Sequence, residues 1–93
     1  MELNIEHSKE RQQFTAVIEG QTAILDYNIL EGGTTLDYRY TFVPPELRGR
    51  HIGQDIVRFA LDYARENNLR VIPSCPFVRV FIERHPEYKD LSA

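Results

Sequence analysis

Apolar residues first alternate along this chain and then recur at helical spacing. From Gln12 to Glu19, Phe14, Ala16 and Ile18 fall on every second position among polar neighbours, the period of a half-buried strand. Glu19-Gly20-Gln21 predicts a tight turn, because Gly20 takes a positive φ at little cost. A second strand is expected over Ala23 to Ile29, a second turn at Glu31-Gly32-Gly33, and a third strand, rich in Thr, Tyr and Phe, over Thr34 to Val43. The three form an antiparallel meander. Tyr38 and Tyr40, two residues apart, are expected on one face of the third strand as sheet packing.

Pro44-Pro45 ends that strand, since neither residue can donate to a ladder. Beyond it Ile52, Ile56, Ala60 and Ala64, joined by Phe59 and Tyr63, recur every three or four residues. That spacing predicts a helix with one buried stripe, leaving Arg58, Asp62, Arg65 and Glu66 on the other side. Asn67-Asn68 stops the helix, as Asn tolerates the left-handed conformation found there. Arg70 to Ile72 is a short fourth strand. Pro73-Ser74-Cys75-Pro76 then leads into a second helix, with Phe77, Val78, Phe81 and Ile82 as its apolar face and Pro86 closing it. A helix between the third and fourth strands makes those strands parallel neighbours through a right-handed crossover. The order β-β-β-α-β-α describes an α+β fold, a mixed α/β sandwich.

The 93 residues contain no repeat, linker or low-complexity stretch, so one domain over residues 1–93 is expected. Eleven basic against fourteen acidic residues argue against a nucleic-acid surface and leave one local basic pair, Arg48 and Arg50. Met1 to Lys9 lacks the apolar core of a signal peptide, and apolar runs such as Val78 to Ile82 are too short to cross a bilayer. The expectation is a soluble cytoplasmic protein without a membrane partner, a monomer or weak homodimer. A single cysteine, Cys75, excludes an intrachain disulfide and a multi-cysteine zinc site. Glu83 and His85 are not spaced to face one metal, so no metal site is expected.

The segment Arg48-Gly49-Arg50-His51-Ile52-Gly53 lies between a strand end and a helix start. Glycines there leave backbone N–H groups open to an anion, and the helix N-terminus adds a partial positive charge. Arg48 and Arg50 suit bidentate contact with phosphate oxygens. The segment is therefore either a diphosphate-binding turn or an exposed basic turn capping a helix.

At these residues the chain resembles a family. Val43 to Gly53, V-P-P-E-L-R-G-R-H-I-G, is similar to the acyl-CoA pyrophosphate loop of GNAT acetyltransferases, whose pattern is Q/R-x-x-G-x-G/A. Tyr40-Thr41-Phe42-Val43-Pro44, the loop, and Ile72-Pro73-Ser74-Cys75 together resemble the very small GNAT-like proteins of about one hundred residues. The resemblance runs from about Leu25 to the C-terminus. It implies acetyl-CoA as co-substrate and an unidentified amine as acceptor. It places the cofactor on Arg48, Gly49, Arg50, His51, Ile52 and Gly53, with the backbones of Phe42 and Val43 along the pantetheine arm. His51 stands where the family has its first glycine. Tyr40 stands at a position where some members carry a histidine considered as a base, and it is the matching catalytic candidate.

Cys75, the second catalytic candidate, matches a cysteine of the small subfamily that lies near the bound thiol. Directly before Pro76 it is expected as a helix N-cap, where a thiolate is stabilised. It could accept the acetyl group, line the cofactor channel, or be a small buried hydrophobe. His85 reads as a helix C-terminal cap, His7 as part of a polar terminal segment with no partner, and Glu31, Asp37 and Glu46 as solvated turn residues. The functional expectation is an N-acetyltransferase. The alternative is a non-catalytic acyl-CoA-binding or protein-interaction module, with Pro86 to Lys89 as a contact segment or a packed tail.

Overall fold

A computed structural model describes residues 4–92, apart from the side chain of Glu31. Five strands form one sheet in chain order: β1 (Ile5–Ser8), β2 (Gln13–Ile18), β3 (Gln21–Leu30), β4 (Thr35–Phe42) and β5 (Arg70–Ile72). The first four pair antiparallel, and β5 runs parallel to β4. Helix α1 (Ile52–Glu66) makes the crossover between β4 and β5, and α2 (Pro76–Arg84) follows β5. The α+β class, the meander and the parallel pair are as the sequence predicts.

The N-terminal strand β1 was not expected. It carries one aliphatic residue, Ile5, opposite Ala16, and uses His7 as its second inward position, opposite Phe14. The imidazole stacks on Phe14 at 4.2 Å between ring centres, meets the edge of Tyr63 at 4.5 Å, and hydrogen-bonds the Tyr27 hydroxyl. His7 thus has aromatic partners on three elements, contrary to its reading as partnerless. Burial, and secondarily Lys9, lowers its pKa, which keeps it neutral and able to accept from Tyr27. Burial pushes the Tyr27 hydroxyl up to about 12.

The turn between β2 and β3 has positive φ at both Glu19 (53°) and Gly20 (79°), the mirror-image turn that matches strand twist. The pairing of β3 with β4 is broken by a bulge: Asp26 faces Tyr40 and Tyr27 faces Tyr38, leaving Arg39 as the extra residue. One inserted residue inverts the alternation beyond it. Tyr38 is therefore fully buried, its hydroxyl donating to Ala60 O at 2.6 Å, while Tyr40 is 54% exposed. The two tyrosines do not share a face.

The core lies between one face of the sheet and the helices. Phe14, Ala16, Leu25, Tyr27, Leu36 and Tyr38 meet Ile56, Val57, Ala60, Leu61 and Ala64 of α1, with Val78, Phe81 and Ile82 of α2 completing it. Phe59 is not in the stripe; it is 41% exposed and touches Phe14 edge-on at 6.0 Å, and Val57 and Leu61 fill the interior instead. Asn68 adopts the left-handed conformation (φ 57°) that ends α1. The segment Pro86–Leu91 is a packed tail: Tyr88 is buried, donates to Asp62 at 2.7 Å and lies under the Arg58 and Arg65 guanidiniums. No described residue on the opposite face of the sheet is buried. No helix among the described residues is long and apolar enough to cross a membrane.

His7 yields a prediction. A folded-state pKa below the ordinary 6.5 means that the unfolded chain binds the extra proton first. Its contribution is fully present above about pH 6.5 and is lost as pH falls through the folded value. Urea midpoints should fall between pH 7.5 and 5 more in the wild type than in His7→Gln, which keeps an acceptor but does not titrate. Equal slopes would remove this role.

Candidate acyl-CoA groove

Pairing of β4 with β5 stops at Asp37 opposite Ile72, two residues before the bulge residue. Past that point the strands part. One further link holds them: the Cys75 N–H donates to Tyr38 O at 2.9 Å. The remaining end of β4 borders a groove of ≈ 350 Å³ whose walls include Thr41, Phe42, Val43, Arg48, Gly53 and Phe77.

The floor of this groove is the start of α1. His51 holds the N-cap position at φ 61°, and no side chain caps the helix. The first-turn amides of an α-helix have no intrahelical acceptor, so here they are free to meet an anion beside the positive end of the helix dipole. Gly49, at φ 85°, turns the chain into that position. Gly53 is buried at the wall: a Cβ built on it would lie 3.0 Å from the ring of Phe77 and 3.4 Å from Val43. A side chain there would narrow the groove where β4, α1 and α2 meet.

The predicted site residues divide. Phe42, Val43, Arg48, Gly49 and Gly53 line the groove together. Arg48 is held against the strand end by a bond from Nε to Val43 O at 3.0 Å. Arg50 does not line it; its guanidinium forms a fork with Glu19 of the β2–β3 turn, at 2.9 and 3.5 Å. The pairing stabilises both charges, lowering the Glu19 pKa and raising that of Arg50. Ile52 turns its side chain into the core, leaving only its backbone at the helix start. His51 is exposed and borders a neighbouring groove between the helices.

Neither catalytic candidate lines the first groove. Cys75 is the N-cap of α2, as expected, but is only 5% exposed; its Sγ lies 3.4 Å from Thr41 Oγ1, and Thr41 is the residue that reaches the groove. Tyr40 stands on the open face of the sheet, opposite Asp26. His85 bonds Phe81 O at 2.8 Å and stacks on that ring, the capping role expected of it.

Three lining residues escaped sequence reading: Thr41, Gln54 and Phe77. Phe77 reads as core by helical spacing, yet it is 39% exposed because the first turn of α2 stands clear of the core at the groove wall. Asp37 was read as a solvated turn residue. It sits instead in β4 at the parting of the strands, and Oδ1 is the one buried side-chain oxygen or nitrogen among the described residues without a hydrogen-bond partner.

These features coincide with the comparisons. The family model of the GCN5-related N-acetyltransferases matches residues 13–91. The chain belongs to that family. It is 33% identical to Protein NATD1 of Danio rerio over 90 residues, covering 92% of this chain and 81% of that protein. It is also 33% identical to Protein NATD1 of Bos taurus over 86 residues, covering 90% and 75% respectively. The solution structure of a GCN5-like protein from Staphylococcus aureus superposes with a TM-score of 0.76 at 26% identity, over 98% of this chain and 88% of that one. The match spans the groove, both helices and the strands that frame them.

Gly53 gives the groove a sharp test. Alanine is favoured over glycine in a helix interior by up to about 1 kcal/mol, so Gly53→Ala should leave the fold intact. Its methyl group would displace the Phe77 ring, and CoA affinity should drop about tenfold, some 1.4 kcal/mol. Thermal melts and calorimetric titration separate the two effects. Unchanged affinity would show that this wall does not touch the ligand.

Proposed function

We propose that this chain is an N-acetyltransferase that takes acetyl-CoA as donor and a primary amine as acceptor. The observation that carries the reading is the uncapped start of α1 opening into a groove along the free end of β4, with Arg48 beside it. The first-turn amides and the Arg48 guanidinium would hold the diphosphate. Beyond Asp37 the β4 backbone has left its ladder with β5, so its peptide groups can pair with the amides of a pantetheine arm.

Transfer then requires a neutral amine. At neutral pH an alkyl ammonium must lose a proton before its nitrogen attacks the thioester carbonyl; the C–N bond forms, the C–S bond breaks, and the thiolate of CoA takes up a proton. The residues lining the groove include no carboxylate or imidazole, so the amine proton goes to water, and Asp37, like Tyr40 and Cys75, stands outside those walls. Tyr40 lies away from the groove walls, and Cys75 is behind Thr41, so direct transfer is favoured over an acetyl-cysteine route. The absence of both candidates from the groove walls also favours a second reading, an acyl-CoA-binding module without turnover.

Calorimetry with CoA tests the binding reading. The wild type should bind, more weakly as salt rises, and Arg48→Ala should bind about tenfold more weakly, by some 1.4 kcal/mol. No binding by the wild type would overturn it.

Turnover is read with acetyl-CoA and butylamine. The rate should rise with pH as alkali deprotonates the amine in solution. Cys75→Ser should retain the wild-type rate. Binding without turnover in the wild type selects the module, and a rate lost in Cys75→Ser alone selects the thiol.

A further inference from the structure

Residues 48 to 51 are all exposed, between the buried Leu47 and the buried Ile52. Two of them, Gly49 (φ 85°) and His51 (φ 61°), have left-handed backbones, and Arg50 stands between them. The two arginines of this loop are held differently. Arg48 donates from Nε to Val43 O and forms no ion pair among the described residues. Arg50 donates from both terminal nitrogens to the two oxygens of the Glu19 carboxylate, at 2.9 and 3.5 Å. At rest its charge is matched, and Arg48 alone of the two has no carboxylate partner.

That carboxylate comes from outside the loop. Glu19 is 31 residues away in sequence, at φ 53° in the tight turn between β2 and β3. The turn fixes where the carboxylate stands, yet the pair is open to water, its side chains 47% and 63% exposed. Such a pair contributes little, because water solvates both ions well when they part. A diphosphate offers the same planar fork more charge and more acceptor oxygens than a carboxylate does. Arg50 also lies two residues before the first residue of α1. Its Cα is thus at most about 7.6 Å from that residue's, at 3.8 Å for each step. A guanidinium swung away from Glu19 comes within reach of an anion on the first-turn amides.

We infer that Glu19 is the resting counter-ion of Arg50, and that a bound diphosphate takes the place of the carboxylate at this guanidinium. Glu19 thereby lowers the affinity of the site without touching the ligand, since the fork must open each time the ligand binds. The inference rests on the acyl-CoA reading of the groove and adds to it a tuning residue from a separate hairpin.

Calorimetric titration with CoA of the wild type, Glu19→Gln, Arg50→Ala and the double variant tests the exchange. The salt is held at 0.15 M, where exposed charges more than about 8 Å apart are screened. Glu19→Gln keeps the side-chain length without the charge, and it should bind CoA about fivefold more tightly than the wild type. Its affinity should also fall more steeply as salt rises, because no carboxylate is set free to take up a cation. Arg50→Ala should bind more weakly than the wild type, and adding Glu19→Gln to it should change affinity by less than about twofold. In the wild type the Arg50 Nε resonance should shift when CoA is added. Both positions are exposed, so melting temperatures should stay near that of the wild type. A Glu19→Gln affinity equal to or below the wild-type value would overturn the exchange, as would an Arg50 resonance unmoved by CoA. The same gain in the Arg50→Ala background would overturn it too, leaving only repulsion by a bare carboxylate. In each of these outcomes CoA still binds and the acyl-CoA reading stands, whereas failure of the wild type to bind CoA removes both.

Discussion

The extra residue in β4 governs how this small fold makes room for a ligand. Before Arg39 the strand is an ordinary inner member of the sheet, paired to β3 on one side and β5 on the other. At the bulge Tyr38 is driven into the core and tied to Ala60 O, so the strand is pinned to the middle of α1 at the point where it changes direction. Beyond the bulge Tyr40 and Phe42 face outward, and Thr41 is turned to Cys75. Because β5 ends at Ile72 and α2 begins at Pro76, nothing continues the ladder alongside the end of β4. A cleft opens in the sheet without any residue being left out of the core. Bulges bend a strand and increase its twist, and this one does so beside the uncapped start of α1.

The covering of the sheet follows from the same economy. All the buried described residues belong to the side that faces the helices, and the opposite face carries none. A chain this short buries a smaller share of its surface than a larger domain, so each contact at the margin counts for more. Two such margins are aromatic. At one end His7 extends the Phe14–Tyr27–Tyr63 cluster onto the edge strand. At the other, Tyr88 is enclosed by Arg58, Arg65 and Asp62, and Arg65 also forms a fork with Asp90 at 3.0 Å. That fork is exposed and screened by solvent, so burial of Tyr88 and Leu91 is the larger stabilising effect.

What was legible in the sequence was what short-range chemistry decides. Strand alternation, the Glu19-Gly20 turn, the Asn68 stop, the Cys75-Pro76 helix start and the loop Arg48–Gly53 all announce themselves within a few residues. The remainder depends on contacts between distant segments. His7 looks polar until Phe14 and Tyr63 are placed beside it. Arg50 gives no sign in sequence of the surface pair it forms with Glu19, 31 residues away. The bulge leaves no mark in Tyr-Arg-Tyr, whose alternation is that of a regular strand, and the misplacement of Tyr40 follows from it. Asp37 is chemically ordinary in sequence; only the end of the β4–β5 ladder gives its carboxylate a distinctive setting.

The start of α1 is built against stability in a way that fits a binding role. A Ser, Thr, Asp or Asn at the N-cap would satisfy a first-turn amide and typically contribute about 1 kcal/mol. The position is instead held by His51 in the left-handed region, where a non-glycine residue is disfavoured, and its side chain makes no cap bond. A capping oxygen would occupy the same amides that an anion needs. Glycine at position 53 carries a second cost, since alanine is the better helix former, but a methyl group would press on Phe77. Phe77 is a wall of both grooves, so the space kept open by Gly53 is common to both. Three local departures from the most stable helix start, the left-handed His51, the absent cap and the glycine, thus converge on one feature: free amides at the floor of an open cleft. Stability yielded at a site is expected where the site must remain available to a ligand.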